Sequence, residues 1–441
     1  MINLFTGLSE NSFPQSTAMD FVSALKATHQ AQAPWSAMPL SEKQTLLEAV
    51  AAQLEVEQDF IARKLAQAQG LSTKFVLENE VLPGIAAFRK TKNSVQNLQS
   101  LPASEKYFSR GFISIILPQF FAFRILCEKL AEGLLAGNIS FVKTSSRNQF
   151  AGEALKKGFA KVTEWPVNLV HVFHGDEELG ELMISHPAIK AVIASSNPKT
   201  AEKILQIAVA ERKEIQLLTG FHNSALILAD VDLDKTVESL MESCFRGMGQ
   251  LPWNIQNILV LESQLEEFEK KFVAKLSGLT FSDNENSDQV LGPLSLTKKG
   301  RIESLWNQIK SENGRVVFDG SLAEGAALKV KPLVVKDLSH CSTLQQDWLG
   351  APAVLISPVK YAHEMVKWTN TSYYGNIAQI FGAPEKIEKF GSQLEVGSVL
   401  GPDWIRGVEL KHWGVKQSFY GNGDSSAFGS FFSQRRSIHY S

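Results

Sequence analysis

Apolar side chains return at helical intervals along the first part of the chain: Phe21 and Leu25, then Leu46, Leu47, Val50 and Leu54, then Phe60 and Leu65, with charged residues between them. Steps of three and four place such residues on one side of a helix, so this stretch predicts an amphipathic helical layer. At Phe112, Ile113, Ile115, Ile116 and Leu117 the rhythm gives way to a short apolar run rich in β-branched residues, which predicts a strand over 107–117. Strands and helices then alternate as far as Leu218. A helix bearing Leu126, Leu130 and Leu134 leads to a strand over 139–143, and a helix with Leu155, Phe159 and Val162 to a strand over 169–173. After Gly175 come a helix through Leu182, a strand over 191–194, a helix over 201–210 and a strand over 215–218. Such alternation is the signature of parallel βαβ units and predicts a doubly wound sheet. Gly137-Asn138 tolerates left-handed backbone and ends the first of these helices.

A second α/β segment opens near Phe221, with a strand over 225–228 and a helix for which Asp232 and Asp234 are N-cap candidates, and it runs to about Tyr420. The turn-rich Gly421-Asn-Gly-Asp-Ser-Ser follows, and 431–441 has the composition of one last strand. A length of 441 residues agrees with this division, because a single hydrophobic core rarely grows past about 250–300 residues.

Composition narrows the function classes. With 44% hydrophobic and 20% charged residues the chain is ordinary globular material. A net charge of −2 and the lack of a dense Lys/Arg block argue against nucleic acid and anionic membranes as partners. The three cysteines, Cys127, Cys244 and Cys341, lack metal-ligand spacing and suit a reducing, cytoplasmic setting. No cationic stretch precedes an apolar core at the start and no segment approaches about 20 unbroken apolar residues, so neither an export signal nor a membrane span is expected.

Several motifs, in order and at matching intervals, resemble landmarks of the aldehyde dehydrogenase superfamily. They are Leu134-Leu-Ala-Gly-Asn-Ile-Ser-Phe-Val-Lys143, Gly220-x-x-Asn223 followed by Ala229-Asp-Val-Asp-Leu-Asp234, Phe245-Arg-Gly-Met-Gly-Gln250, and Asn370 with Tyr374-Gly375 leading to Phe381. Gly292-Pro293 and Gly414-Val-Lys-Gln-Ser418 also fit, so the likeness covers nearly the whole chain. The resemblance implies an α/β fold with a Rossmann-type cofactor domain over 1–106 and 118–220. A catalytic-type domain over 221–420 and a small oligomerisation flap from 107–117 and 421–441 complete it, giving a homodimer or higher homo-oligomer. It also implies cofactor contacts for NADP or NAD from Lys143, Ser146, Gly175, Ser196, Gly220 and Asp347. Ser146 stands where the family has a glutamate that would repel a 2′-phosphate, so Ser146 with Arg147 leans toward NADP. Leu349 replaces a phenylalanine that packs near the nicotinamide, and Ser195 replaces a glycine beside the pyrophosphate.

The positions that carry the family's chemistry hold other residues. Aldehyde oxidation of this type needs a thiolate whose adduct donates hydride, and the resemblance puts that cysteine at Pro252, which has neither a nucleophilic side chain nor an N–H. The oxyanion-binding asparagine falls on Phe120 in Pro118-Gln-Phe-Phe-Ala122, and the general base falls on Leu218. One missing oxyanion donor alone costs about 10²–10³ in rate. Phe120, Phe121, Leu218, Phe221, Pro252 and Trp253 are expected to form an apolar plug in place of a polar cavity. Cys244 lies in register with Leu233, Val237, Leu240 and Met241, so it reads as core. Cys127, early in a helix, and Cys341, in a loop, are equally poor substitutes, and His174 and His222 read as packing or surface residues. The expected function is that of a catalytically inactive family member kept as a nucleotide-binding or scaffold protein. The alternative is an active NAD(P)-dependent aldehyde oxidoreductase with a rebuilt site.

Overall fold

The computed structural model describes residues 2–9, 13–98, 105–339, 341–404, 414–421 and 431–437. The amphipathic pattern of the N-terminal part forms helices Ala18–Thr28, Leu40–Val56, Gln58–Gln69 and Leu82–Leu98. Thr17 and Asp20 cap the first of these reciprocally. Their apolar faces, with Phe21, Leu47, Val50, Leu54, Ile61 and Leu65 all buried, pack into one core with a six-stranded sheet.

That sheet runs in the spatial order Phe419–Gly421, Glu214–Leu218, Ile189–Ser195, Phe112–Ile116, Ile139–Lys143, Val170–Phe173. Only its first pair is antiparallel. Helices Ala122–Leu135, Phe150–Ala160, Glu177–Ser185 and Pro198–Ala210 supply the connections between the parallel strands. Ile113 and Ile115 of Phe112–Ile116 are buried because this strand is central, covered on both faces.

A second sheet has seven strands in the order Ser398–Leu400, Ile377–Phe381, Asn223–Ile227, Ile255–Leu261, Ala353–Val359, Leu333–Lys336, Arg315–Asp319, with only the last pair antiparallel. It shares a separate core with helices Leu233–Phe245, Leu265–Ser277 and Lys299–Ser311. Asp232 caps the first of those through Asp234 N and Lys235 N. A third, two-stranded piece pairs Glu105–Ser109 antiparallel with Ser433–Ser437.

Two of the expected boundaries need correction. Residues 107–117 are not all flap: the chain turns at Gly111, whose φ is 103°. Glu105–Ser109 goes to the two-stranded piece and Phe112–Ile116 to the centre of the first sheet. Phe419–Gly421, expected at the end of the second domain, crosses back to pair with Gln216–Leu218 of the first sheet. The final strand lies within the expected 431–441, as Ser433–Ser437, and the rest of the turn-rich 421–430 stretch lies outside the described residues.

Two buried polar side chains hold these parts in place. Asn138, wholly buried, accepts from Gly111 N at 3.0 Å and donates to the carbonyls of Gly133 at 3.0 Å and Phe432 at 2.9 Å. It thereby ties the helix end, the start of the central strand and the C-terminal segment at one point. Glu80 sits on a π-helical turn, Leu77–Val81, between the N-terminal helices and the first sheet domain. Its carboxyl accepts from Phe123 N at 2.9 Å and from Gln69 Nε2 at 2.7 Å, capping the start of helix Ala122–Leu135. Burial pushes its pKa from an ordinary 4.5 up to about 7, against the smaller opposing effects of those donors and of Arg124.

Asn138→Ala strips three hydrogen bonds and leaves buried partners unpaired, a loss of about 1–3 kcal/mol. Its melting temperature is expected to fall, with faster amide exchange in Ser433–Ser437; unchanged exchange there would contradict the anchoring role. Glu80 in the folded state holds its proton to about pH 7, whereas in the unfolded chain it ionises near 4.5, so stability declines as pH rises through that window. Glu80→Gln removes the ionisation. The melting temperature of the variant relative to the wild type is expected to climb from pH 4.5 to pH 7 and then level off; parallel curves would refute the assignment.

Candidate functional site

The loop that follows helix Leu233–Phe245 runs between the two cores. Met248 is buried in the second core and Leu251 in the first. To make that crossing Gly247, Met248 and Gly249 all take left-handed backbone, with φ of 69°, 59° and 69°. At Gly249 a Cβ would stand 2.2 Å from the Ala351 carbonyl oxygen, so glycine is required there by space as well as by φ. Asn254, fully buried, closes the loop: its Oδ1 accepts from Leu251 N at 2.7 Å and its Nδ2 donates to the Ser243 and Arg246 carbonyls, each at 3.0 Å. Asn223 donates to the Pro252 carbonyl at 2.9 Å and to the Asn254 carbonyl at 3.0 Å, and accepts from Ile377 N at 3.1 Å. Pro252 and Trp253 are thereby presented, half-buried, to a cavity.

This cavity has a volume of about 700 Å³. Its wall contains Phe120, Leu218 and Pro252, the three positions singled out as degenerate, together with Lys143, Ser146, Gly175, Ser196 and Gly220, the expected cofactor contacts. The fold brings these eight residues to one cavity. Asp347 is the exception, because it is not part of the wall. Its carboxylate accepts from Tyr374 Oη at 3.2 Å and from Trp348 N at 2.6 Å, and its carbonyl from His222 Nδ1 at 2.8 Å. Leu349 is likewise buried in the second core. The neighbouring Trp348 faces the cavity instead.

The expected plug is corrected. Phe120, Phe121, Leu218, Phe221, Pro252 and Trp253 all line the space, but they line it without filling it. The rings pack on one another: Phe121 meets Trp253 edge-on with centroids 4.6 Å apart and Phe75 at 6.4 Å, while Phe221 tilts against Trp348 at 6.2 Å. Phe121 itself has φ 55°, a strained conformation for a bulky residue, at the first turn of helix Ala122–Leu135.

None of the three cysteines reaches this wall. Cys127 and Cys244 are buried, and burial pushes both thiols up, away from the thiolate form. Cys341 is exposed elsewhere. His174 and His222 are interior groups. His174 shares its ring nitrogens with Thr144 Oγ1 at 2.7 Å and Glu153 Oε1 at 2.9 Å, and burial holds His222 down at about 4, so it stays neutral. Among the described residues no cluster of three metal-ligating side chains occurs, and no helix is long and apolar enough to cross a membrane.

At the other end of the cavity two helices of the first domain open onto it. Glu177–Ser185 begins with Asp176 as its cap and Glu177 and Glu178 in its first turn, which disfavours an anion. Pro198–Ala210 has Asn197 as its cap and no acid in its first turn, with Ser196 and Thr200 in the wall. That second terminus is the one suited to a pyrophosphate. Lys143, lowered from its ordinary pKa by burial against the attraction of Asp176 and Glu177, lies packed along Gly180, where a Cβ would come within 3.2 Å of its Cδ.

Sequence reasoning missed Lys298, Trp348, Asn376 and Trp404, all of which line the cavity. They come from separate loops and strand ends, so no local pattern connects them. Four buried polar atoms of wall residues, Thr219 Oγ1, Trp348 Nε1, Asn376 Oδ1 and Trp404 Nε1, have no hydrogen-bond partner among the described residues. At the other end, Lys143, Ser196 and the acid-free start of helix Pro198–Ala210 fit the ribose and phosphates of a dinucleotide.

Comparison with known proteins agrees with this architecture. A malonate-semialdehyde dehydrogenase of Shouchella clausii is 23% identical over 410 residues, 90% of this chain and 84% of its own. An aldehyde dehydrogenase of Bacillus cereus solved as its NAD+ complex superposes with a TM-score of 0.87 at 20% identity, covering 96% of this chain and 89% of that one. An NADP-dependent glyceraldehyde-3-phosphate dehydrogenase of Bacillus halodurans, solved with NADP, gives 0.86 at 20% identity over 99% and 94%. The sequence model of the Aldehyde dehydrogenase family matches residues 1–438, and the chain belongs to that family.

Proposed function

We propose that this member of the aldehyde dehydrogenase family binds a nicotinamide dinucleotide without carrying out thiol-dependent aldehyde oxidation, and serves as a nucleotide-binding or scaffold protein. One observation carries the reading: a single continuous cavity keeps Lys143, Ser146 and Ser196 at one end and has Phe120, Leu218 and Pro252 at the other, with no cysteine in its wall. Bound there, the cofactor would supply hydride acceptance. Hydride transfer in this family's manner requires a covalent adduct first, and no side chain at the second end can form a thiohemiacetal. Lys143 would hold a ribose hydroxyl, and the N-terminus of helix Pro198–Ala210 would hold the phosphates.

NADP is the favoured form. Ser146 is exposed beside Arg147, and no acid occupies position 146 to repel a 2′-phosphate. A cytoplasmic homodimer is part of the same reading, supported by the two-stranded piece Glu105–Ser109 with Ser433–Ser437, whose open edges favour pairing with a second copy.

Titration with NADP is expected to raise the melting temperature, more so than NAD, because a ligand held only by the folded state stabilises it by about 2.7 kcal/mol at a hundredfold excess over Kd. No NADPH should form over a panel of aldehydes. Pro252→Cys alone is expected to remain inactive, since Leu218 and Phe120 still lack a base and an oxyanion donor. Pro252→Cys with Leu218→Glu and Phe120→Asn should give measurable turnover. Turnover by the wild-type protein would overturn the inactive assignment, and the failure of both nucleotides to shift the melt would overturn the binding assignment.

A further inference from the structure

We infer that the Lys298 amine is an aldehyde-capturing group, condensing reversibly inside the cavity with a small aldehyde that also carries a carboxylate. This goes beyond the proposed nucleotide binding and needs neither cofactor nor thiol.

Three lysines line the cavity: Lys143, Lys203 and Lys298. Two have acids to keep them charged. Lys203 Nζ pairs with Glu177 at 2.6 Å, and Lys143 feels Asp176 and Glu177. Lys298 has none. Among the described residues no acceptor is recorded for its amine, and the charged groups that act on it are Arg147 and Arg301. Glu303, the acid nearest in sequence, faces Lys299 Nζ at 3.9 Å, and Glu324 lies 2.5 Å from the same amine. Lys298 also sits at the N-cap of helix Lys299–Ser311, where the positive end of the helix dipole disfavours a further cation.

Partial burial, the two guanidinium groups and the helix end all act in one direction. Burial is the largest cause and Arg147 and Arg301 add to it, pushing the amine down from 10.5 to about 8. A lysine desolvated beside other cations is the known arrangement for an amine that attacks carbonyls near neutral pH. The wall around it offers no competing nucleophilic thiol.

The same neighbours select the aldehyde. Arg147 stands in the cavity wall and, among the described residues, has no acid partner. Arg301 lies behind the wall, donating to Leu349 O at 3.1 Å and Trp348 O at 2.6 Å. A carboxylate on the incoming molecule meets the Arg147 guanidinium. The step itself is redox-neutral. The amine lone pair forms a C–N bond to the carbonyl carbon, a nitrogen proton passes to the oxygen, and loss of water breaks the C–O bond to leave C=N; hydration reverses it.

The test treats the full-length protein near pH 7.5, without nucleotide, with 4-oxobutanoate and cyanoborohydride, which reduces an imine to a stable secondary amine that peptide mass spectrometry locates. Lys298 is expected to be alkylated at least about tenfold faster than any exposed lysine, and faster by 4-oxobutanoate than by propanal. Lys298→Arg keeps the charge and abolishes the fast phase, and an unchanged melting temperature shows that it folds. Labelling of Lys298 at the surface-lysine rate, or a fast phase that survives in Lys298→Arg, overturns the proposal. Equal rates with propanal overturn the carboxylate preference. Because nucleotide is absent throughout, a failure to bind NADP has no bearing on the result.

Discussion

Two buried amides, Asn223 and Asn254, hold the segment on which the site depends. The chain between Phe245 and Ile255 must leave one core, enter the other and return to a strand, and it does so through three consecutive left-handed residues. Backbone of that kind cannot satisfy itself with a regular ladder. The Asn254 amide supplies the missing acceptor for Leu251 and donors for Ser243 and Arg246, while Asn223 takes the outgoing carbonyls of Pro252 and Asn254. At position 252 the loop uses the carbonyl oxygen and makes no use of an N–H, so a proline fits there without breaking a bond of the closure. The closure of this loop is thus independent of the side chain at position 252.

The facing wall follows a similar logic. Glu80 caps the start of helix Ala122–Leu135, and Phe121 enters that helix in a strained conformation that aims its ring at Trp253 and Phe75. Rings that pack edge-on against each other bury apolar area without occupying the void beside them. Size and hydrophobicity, which can be read from sequence, suggested that six large apolar residues would close the cavity. The direction of each ring, which cannot be so read, leaves it open.

What was legible came from periodicity and from motifs with a local cause. The helical layer, the βαβ alternation, the Asp232 cap and the Gly137-Asn138 helix end each depend on neighbours a few residues away. The strand over 107–117 was harder because one apolar run serves two sheets, and the switch rests on Gly111, a residue that gives no sign of which partner each half will find. The return of Phe419–Gly421 to the first sheet is a pairing between residues about two hundred positions apart, beyond any local pattern. Asp347 lies outside the cavity wall for a related reason: its side chain is engaged by Tyr374, which only the folded chain brings alongside.

The cavity also carries a cost that bears on its use. Thr219, Trp348, Asn376 and Trp404 each hold a buried polar atom without a partner among the described residues, and a group left so costs roughly 1–3 kcal/mol. Filling the space with the nearby aromatic side chains would remove water and leave those atoms no better off. The cationic flank formed by Arg147 and Lys298 gives the cavity a preference for negative charge. That flank lies in the same wall as Pro252. One cavity thus joins a cationic, polar end contributed by loops and helix starts to an apolar end built from Phe120, Phe121, Leu218, Pro252 and Trp253.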